Sequence, residues 1–315
     1  MAFAPKAIHQ FHGSSSIGDA ITNGLLYTRR LLRDLGYASE IYCHDVVPEL
    51  AEHIRPLASF PDSNDTLLLV HFSWAIQCFD WLATLRCRKA LVFHNITPPE
   101  FFEPGGEFER LSLVSHQQLA ALRPLVSASV TNSRYSARDL TALGFDEPEI
   151  LPLLFDPDDW VAAPYDESLV QRLADDPSFK ILFVGRIVAN KRQDNLLRVV
   201  HRLKSIGAHR PQLILAGGIG AAPTYGEALL SLATDLDVVD CVRFTGKVSD
   251  AELRALYRGA DVFLSLSEHE GFCVPLVEAM AFDLPVVALA SSAIPETSGE
   301  GGLLLDNDDP LVVAR

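Results

Sequence analysis

Short apolar runs separated by longer amphipathic stretches recur along the whole chain. KAIHQF at Lys6–Phe11 precedes DAITNGLLYTRRLLRDLG, where apolar positions return at helical spacing. SEIYCH, TLLLVHF, KALVFHN and SASVTN follow, each set off by an amphipathic segment. Strands covered by helices on both faces read as nearly unbroken apolar runs. Strands that alternate with helices predict a parallel α/β sheet.

The alternation pauses after Phe155. FDPDDWVAAPYDESLVQRLADDPS is rich in Asp and Pro and holds no strand-like run; the pattern then resumes with KILFVG, PQLILAG, CVRFTG, ADVFLSLS and LPVVALA. The expected organisation is a first α/β domain over 1–155, a linker over 156–178 and a second α/β domain over 179–315. Ser249 and Glu252 form an S-x-x-E capping box that predicts a helix start, and Gly259 suits that helix's end.

Composition narrows the function classes. Hydrophobic residues make up 48% of the chain, enough for packed cores. No apolar run reaches the roughly 18–20 residues of a membrane span, and MAFAPKAIHQFHG lacks the basic and apolar segments of a signal peptide. With 41 acidic against 26 basic residues the net charge is −15, which argues against nucleic acid or an anionic membrane as a partner. Cys43, Cys78, Cys87, Cys241 and Cys273 are an odd set without a CxxC pair, as expected of a reduced, cytoplasmic chain.

Against that acidic background one cationic cluster stands out. FVGRIVANKRQDN follows a predicted strand and precedes a predicted helix, so Arg186, Lys191 and Arg192 fall where parallel sheets bind ligands. Such cations suit an anion, a phosphate above all, although solvated loop residues would read the same way. SEHEGFCVPLVEAM at Ser267–Met280 is the second such stretch. Pro275 fits the first turn of a helix, and EGFCV before it would offer backbone N–H groups to an anion or a hydroxyl. Glu270 and Glu278 at one strand end suit a polyhydroxylated ligand, or else are one cap and one solvated acid.

Glu270-x₇-Glu278 within EGFCVPLVEA, preceded by VGR…NK, resembles the retaining GT-B glycosyltransferases of family 4. ILFVGRI, LILAGG, VRFTGKVSDAELRALYRGADVFLSLSEHEGF, PVVA and IPE occur in the family's order across residues 150–310. The resemblance implies two Rossmann-like domains facing a cleft, with Arg186 and Lys191 on the donor diphosphate and Glu278 on the ribose diol. It also implies that Glu270, Gly271, Phe272 and Cys273 contact the transferred sugar. The first half is similar more weakly. FHGSSSIGDAITN matches the loop after the first strand, with Gly18 and Asp19 near donor phosphate and acceptor. VFHNITPPEFF matches the segment whose His, here His94, approaches the donor sugar, and VTNSRYSARDL places Asn132 and Ser133 at a strand end. Asp283 stands where the family often has Gly, and Asp tolerates left-handed backbone better than most residues. Ser291 and Ser292 replace frequent glycines. The chain stops at LLLDNDDPLVVAR, so the terminal crossover helices of the fold are expected to be missing.

The resemblance implies transfer of a sugar from a nucleotide-diphosphate sugar to a saccharide or lipid-linked hydroxyl acceptor with retention, in polysaccharide or glycolipid assembly. No cofactor and no metal are expected: His9 and His12 lack partners at ligand spacing, and the Asp156, Asp235 and Asp306 D-x-D triplets fall in linker or turn contexts. AGGIGAAPTYG fails the dinucleotide pattern at Pro223. No integral membrane segment is expected; apolar PPEFF at Pro98–Phe102 leaves room for weak peripheral membrane contact or for core packing. An epimerase or phosphorylase of the same fold, and a nucleotide-binding subunit without turnover, remain alternatives.

Overall fold

A computed structural model describes residues 3–207, 210–219 and 223–315. The chain forms two compact units, Met1–Phe155 and Asp156–Arg315. In the first, the described strands are β1 (Ala7–Ser14), β2 (Ile41–Asp45), β3 (Ile54–Pro56), β4 (Thr66–Phe72), β5 (Arg88–Phe93), β6 (Ser129–Thr131) and β7 (Glu149–Ile150). All pair parallel in the order β3-β2-β1-β4-β5-β6-β7. In the second they are β8 (Phe179–Val184), β9 (Pro211–Ala216), β10 (Val242–Gly246), β11 (Val262–Ser265), β12 (Val286–Leu289) and β13 (Leu303–Leu305), again parallel, in the order β10-β9-β8-β11-β12-β13. Each unit is thus a Rossmann-like doubly wound sheet, with a reversal of strand order at β1/β4 and at β8/β11.

The unbroken apolar runs have a direct explanation. Along β8, Leu182 enters one buried cluster while Ile181 and Phe183 enter another; along β9, Ile214 and Ala216 part in the same way from Leu213 and Leu215. Successive strand side chains point to opposite faces, so a sheet covered on both sides needs apolar residues at every position. Local signals set the helix ends. The Ser249–Glu252 capping box forms in both directions and starts the helix Asp250–Gly259.

The 156–178 stretch departs from the expected linker. It holds helices Pro157–Ala162 and Glu167–Asp175 and belongs to the second unit. Its aspartates are caps: Asp156 accepts from Asp159 N at 3.0 Å, and Asp166 from Leu169 N at 2.9 Å. Leu169 and Leu173 bury with Leu256 and Tyr257. Arg254 Nε donates to Pro164 O at 2.8 Å. Asp and Pro serve caps as readily as they serve linkers, and local sequence does not separate the two uses. Gly259 is small for a reason other than a turn, since a Cβ there would lie 2.5 Å from Leu173 Cδ1. Phe102 of PPEFF packs edge-on against Trp74 at 5.7 Å, inside an aromatic cluster with Phe108.

The loops after β8, β9 and β10 meet through bare backbone. Gly185 N donates to Ala216 O at 2.9 Å, and Gly217 N to Gly246 O at 3.0 Å. A Cβ on Gly217, at φ +154°, would lie 1.9 Å from Gly185 O. Gly36 has an equally unusual φ of +89° but open space around it. Gly217→Ala is therefore expected to lose about 3 kcal/mol through overpacking, against about 1 kcal/mol for Gly36→Ala from backbone conformation alone. Shifts of the denaturant midpoint measure both, and equal losses would contradict the close approach.

Candidate active site

The second unit's cationic loop starts where β8 ends. Ile187 N donates to Gly218 O at 3.0 Å, and Gln193 Nε2 to Arg186 O at 2.9 Å, so the loop is tied at both ends. A 3₁₀ turn, Ala189–Lys191, leads to Arg192, whose φ of 52° precedes the helix Gln193–Ser205. Asn190 is buried at the centre. Its carbonyl accepts from Glu268 N at 2.8 Å and its Nδ2 donates to His269 O at 3.1 Å, joining this loop to the one after β11.

That junction sets the charges. Lys191 Nζ lies 2.5 Å from Glu270 Oε1, with side chains only 15% and 12% exposed. Arg192, by contrast, is committed to Glu268, to Asp194 at 3.3 Å and to Asp308 at 3.0 Å. Arg186 is exposed and makes no ion pair among the described residues. Of the three cations read from sequence, Arg192 is thus an internal brace. Arg186 stays exposed, while Lys191 is largely buried against Glu270.

The loop after β11 is held from behind. Glu270 N donates to Ser292 Oγ at 2.8 Å, Ala293 N donates to Glu270 O at 3.3 Å, and the Ser291 hydroxyl donates to Ser267 O. Thr297 Oγ1 donates to Phe272 O at 2.5 Å. Cys273 takes a left-handed φ of 72° just before the helix Val274–Ala281, with Pro275 in its first turn as the sequence predicts. The backbone N–H groups of Phe272 and Cys273 have no acceptor among the described residues. Burial pushes the Cys273 thiol well up; Glu270 and Glu278 add to that and Lys191 opposes it, so all three charges act on one spot. Asp283 has φ 54°, the left-handed geometry expected of it.

Glu278 is part-buried, and its Oε2 accepts from the Tyr257 hydroxyl at 2.7 Å. Tyr257 is fully buried and stacked on Phe282 with centroids 5.7 Å apart. Burial raises the Glu278 carboxyl to about 7; the Tyr257 bond and Arg254 oppose that rise, and Asp250 adds to it.

The residues singled out in the first unit are held internally. Gly18 has φ 71°, and Asp19 caps the helix Ala20–Asp34 by accepting from Thr22 N at 2.9 Å. His94 is buried at the end of β5 with both nitrogens engaged: Asn132 Nδ2 lies 3.2 Å from Nδ1, and His71 Nδ1 lies 2.8 Å from Nε2. Burial, with His12 nearby, lowers its pKa to about 3, so it is a neutral imidazole. Ser133 caps the helix Arg134–Ala142. Sequence reading missed Asn190, Tyr257 and the amide-binding role of Ser292. Tyr257 sits at an apolar position of an amphipathic helix and reads as core, and Asn190 has no local signature. In the glycine-rich 216–226 stretch, residues 220–222 lie outside the described residues.

The raised Glu278 carboxyl has a pH consequence. Between its ordinary 4.5 and about 7 the folded chain holds a proton that the unfolded chain has released, so stability falls as pH rises through that window. The loss is on the order of 2 kcal/mol after allowance for partial exposure. Glu278→Gln is expected to flatten the stability–pH curve there. Tyr257→Phe, which removes a bond to the carboxylate, moves the inflection to higher pH. An unchanged curve in Glu278→Gln would refute the assignment.

Known proteins that resemble this chain include glycosyltransferases. Residues 165–314 match the family model described as glycosyl transferases group 1. A D-inositol 3-phosphate glycosyltransferase of Thermomonospora curvata is 34% identical over 139 residues, which is 42% of this chain and 32% of that protein. The matched stretch spans about a third of that relative's length. Among solved structures, HepE of Anabaena in complex with UDP and glucose matches with a TM-score of 0.76 at 18% identity, over 98% of this chain and 88% of that one. WaaG, a glycosyltransferase involved in lipopolysaccharide biosynthesis, matches at 0.70 and 13% identity, over 98% and 88%. The structural likeness establishes the fold, two Rossmann-like units of the GT-B type, and residues 165–314 are similar in sequence to the glycosyl transferases group 1.

Proposed function

We propose that the chain transfers a sugar, with retention, from a nucleotide-diphosphate sugar to a hydroxyl acceptor. The observation that carries this reading is the group formed by Lys191, Glu270, the Phe272 and Cys273 amides and the Tyr257-bound Glu278. Glycosyl–phosphate cleavage leaves negative charge on the departing diphosphate. Arg186, Lys191 and the amides supply fixed positive potential where that charge grows, the setting in which preorganised electrostatics contribute most. They take the part a metal plays elsewhere. Glu270, reaching past its partner lysine, accepts hydrogen bonds from the sugar, and Glu278 accepts them from the ribose diol. Gly18 and Asp19 shape the loop after β1 by backbone geometry and capping. His94, with both nitrogens occupied, acts through its neighbours.

The HepE complexes with UDP and with UDP-glucose support a uridine donor, and the WaaG likeness supports a role in cell-surface polysaccharide or glycolipid assembly. No helix of the described residues is long and apolar enough to cross a membrane. The free cysteines fit a cytoplasmic place for this step. No cofactor beyond the donor enters the reading.

Lys191→Ala and Glu270→Ala are each expected to reduce turnover roughly tenfold to a thousandfold. UDP-, GDP- and ADP-sugars are screened by thermal shift, and the preferred donor raises the midpoint in proportion to occupancy. Near-wild-type rates in both variants would sink the assignment, while donor binding without turnover on any acceptor would favour a non-catalytic subunit.

A further inference from the structure

Lys191 and Glu270 are paired where the transferase reading above puts a diphosphate. Nζ and Oε1 lie 2.5 Å apart, and the two side chains are only 15% and 12% exposed. The lysine charge is therefore answered before any anion arrives, and the carboxylate beside it repels one.

Neither partner has a substitute nearby. Among the described residues Lys191 and Glu270 make no other ion pair. Arg192, the next cation in the chain, is taken up by Glu268, Asp194 and Asp308. The second carboxylate, Glu278, is engaged by the Tyr257 hydroxyl at 2.7 Å.

The backbone on both sides of the pair is fixed. Asn190 O accepts from Glu268 N at 2.8 Å, and Asn190 Nδ2 donates to His269 O at 3.1 Å. Glu270 N donates to Ser292 Oγ at 2.8 Å, and Glu270 O accepts from Ala293 N at 3.3 Å. With these ties in place the pair opens by rotation of its two side chains, without displacement of either loop.

What takes the lysine's place decides how readily it opens. Removing one partner from a buried ion pair leaves an uncompensated charge, which is strongly unfavourable. Sugar hydroxyls donate to a carboxylate, and hydrogen bonds to a charged acceptor are among the stronger ones. A diphosphate brings only acceptor oxygens and negative charge. An intact nucleotide sugar thus satisfies both halves of the opened pair, phosphate on Lys191 and hydroxyls on Glu270. A bare nucleoside diphosphate satisfies Lys191 alone and is opposed by Glu270.

We propose that Glu270 makes the site discriminate between the intact donor and the bare nucleoside diphosphate. Once the sugar has left, the carboxylate returns to Lys191 and displaces the diphosphate, so the pair speeds product release. The proposal rests on the transferase reading above and gives Glu270 a second task beside hydrogen bonding of the sugar.

Isothermal titration of the full chain with UDP and UDP-glucose, GDP and GDP-mannose, and ADP and ADP-glucose measures this competition. For the nucleotide that binds, Glu270→Gln is nearly isosteric and uncharged. It is expected to tighten the bare diphosphate about tenfold and to weaken the nucleotide sugar about tenfold. Opposite signs are diagnostic. Loss of a negative charge that acts only through the general field would tighten both ligands, and loss of a mere structural brace would weaken both. In steady state the same variant is inhibited by the diphosphate at a concentration about tenfold lower. Where Glu270→Gln fails to fold, the wild-type chain decides. Glucose, galactose, mannose or N-acetylglucosamine in excess occupies Glu270, and at least one of them tightens the bare diphosphate roughly threefold or more.

Diphosphate affinity unchanged or weaker in Glu270→Gln overturns the proposal, as does a wild type indifferent to all four sugars. Binding of none of the nucleotides or nucleotide sugars overturns the proposal and the transferase reading together. Wild-type turnover with diphosphate affinity unmoved by Glu270→Gln overturns the proposal and leaves the transferase reading standing. Opposite shifts without turnover on any acceptor uphold the discrimination and count against transfer.

Discussion

The second unit's chemistry hangs on Asn190. Its carbonyl and amide bond the backbone of Glu268 and His269, so the loop leaving β8 and the loop leaving β11 are joined at two points. Because Asn190 is buried, those bonds are made in a low-dielectric interior and their loss would strand polar groups there. Lys191 and Glu270, each one step beyond a bonded residue, are brought within 2.5 Å as a consequence. Arg192 strengthens the same junction through Glu268 and Asp308 rather than facing a ligand.

Backbone strain gathers around this junction. Arg192, Cys273, Asp283 and Ser292 all have positive φ, a conformation that costs a non-glycine residue on the order of 1 kcal/mol or more. At three of them the structure shows a compensating contact. Arg192 gains its ion pairs, Ser292 receives the Glu270 amide, and Cys273 buries its side chain while turning the chain into a helix. Ser292 is instructive, since a glycine would adopt the same φ with less strain but would leave the Glu270 N–H without its acceptor.

The two units use one architecture with opposite electrostatics. At β8/β11 the strand ends present lysine, arginine and amides beside the Glu270 and Glu278 carboxylates. At β1/β4 they present neutral imidazoles, a carboxylate and an indole. The His94–His71 pair shows how this strand end is kept neutral. Burial keeps both rings uncharged, and the amide of Asn132 sets the direction of every proton along the line.

Much of this was legible in the chain itself. Strand runs, the capping box at Ser249, Pro275 in a first turn and Asp283 in left-handed geometry depend on interactions within a few residues, which local sequence records directly. The candidate residues Arg186, Lys191, Glu270 and Glu278 were picked out through motifs that resemble a known family, each pair lying between one strand end and one helix start. What the sequence could not decide was partnership across long separations. Whether Asp156 and Asp166 belonged to a linker or to caps, that Arg192 was a brace, that Tyr257 held Glu278, and that His71 ended a relay from Asn132 all depended on side chains brought together by the sheet from tens of residues apart. Those contacts follow from tertiary packing, which selects one pairing among many that composition and periodicity allow equally.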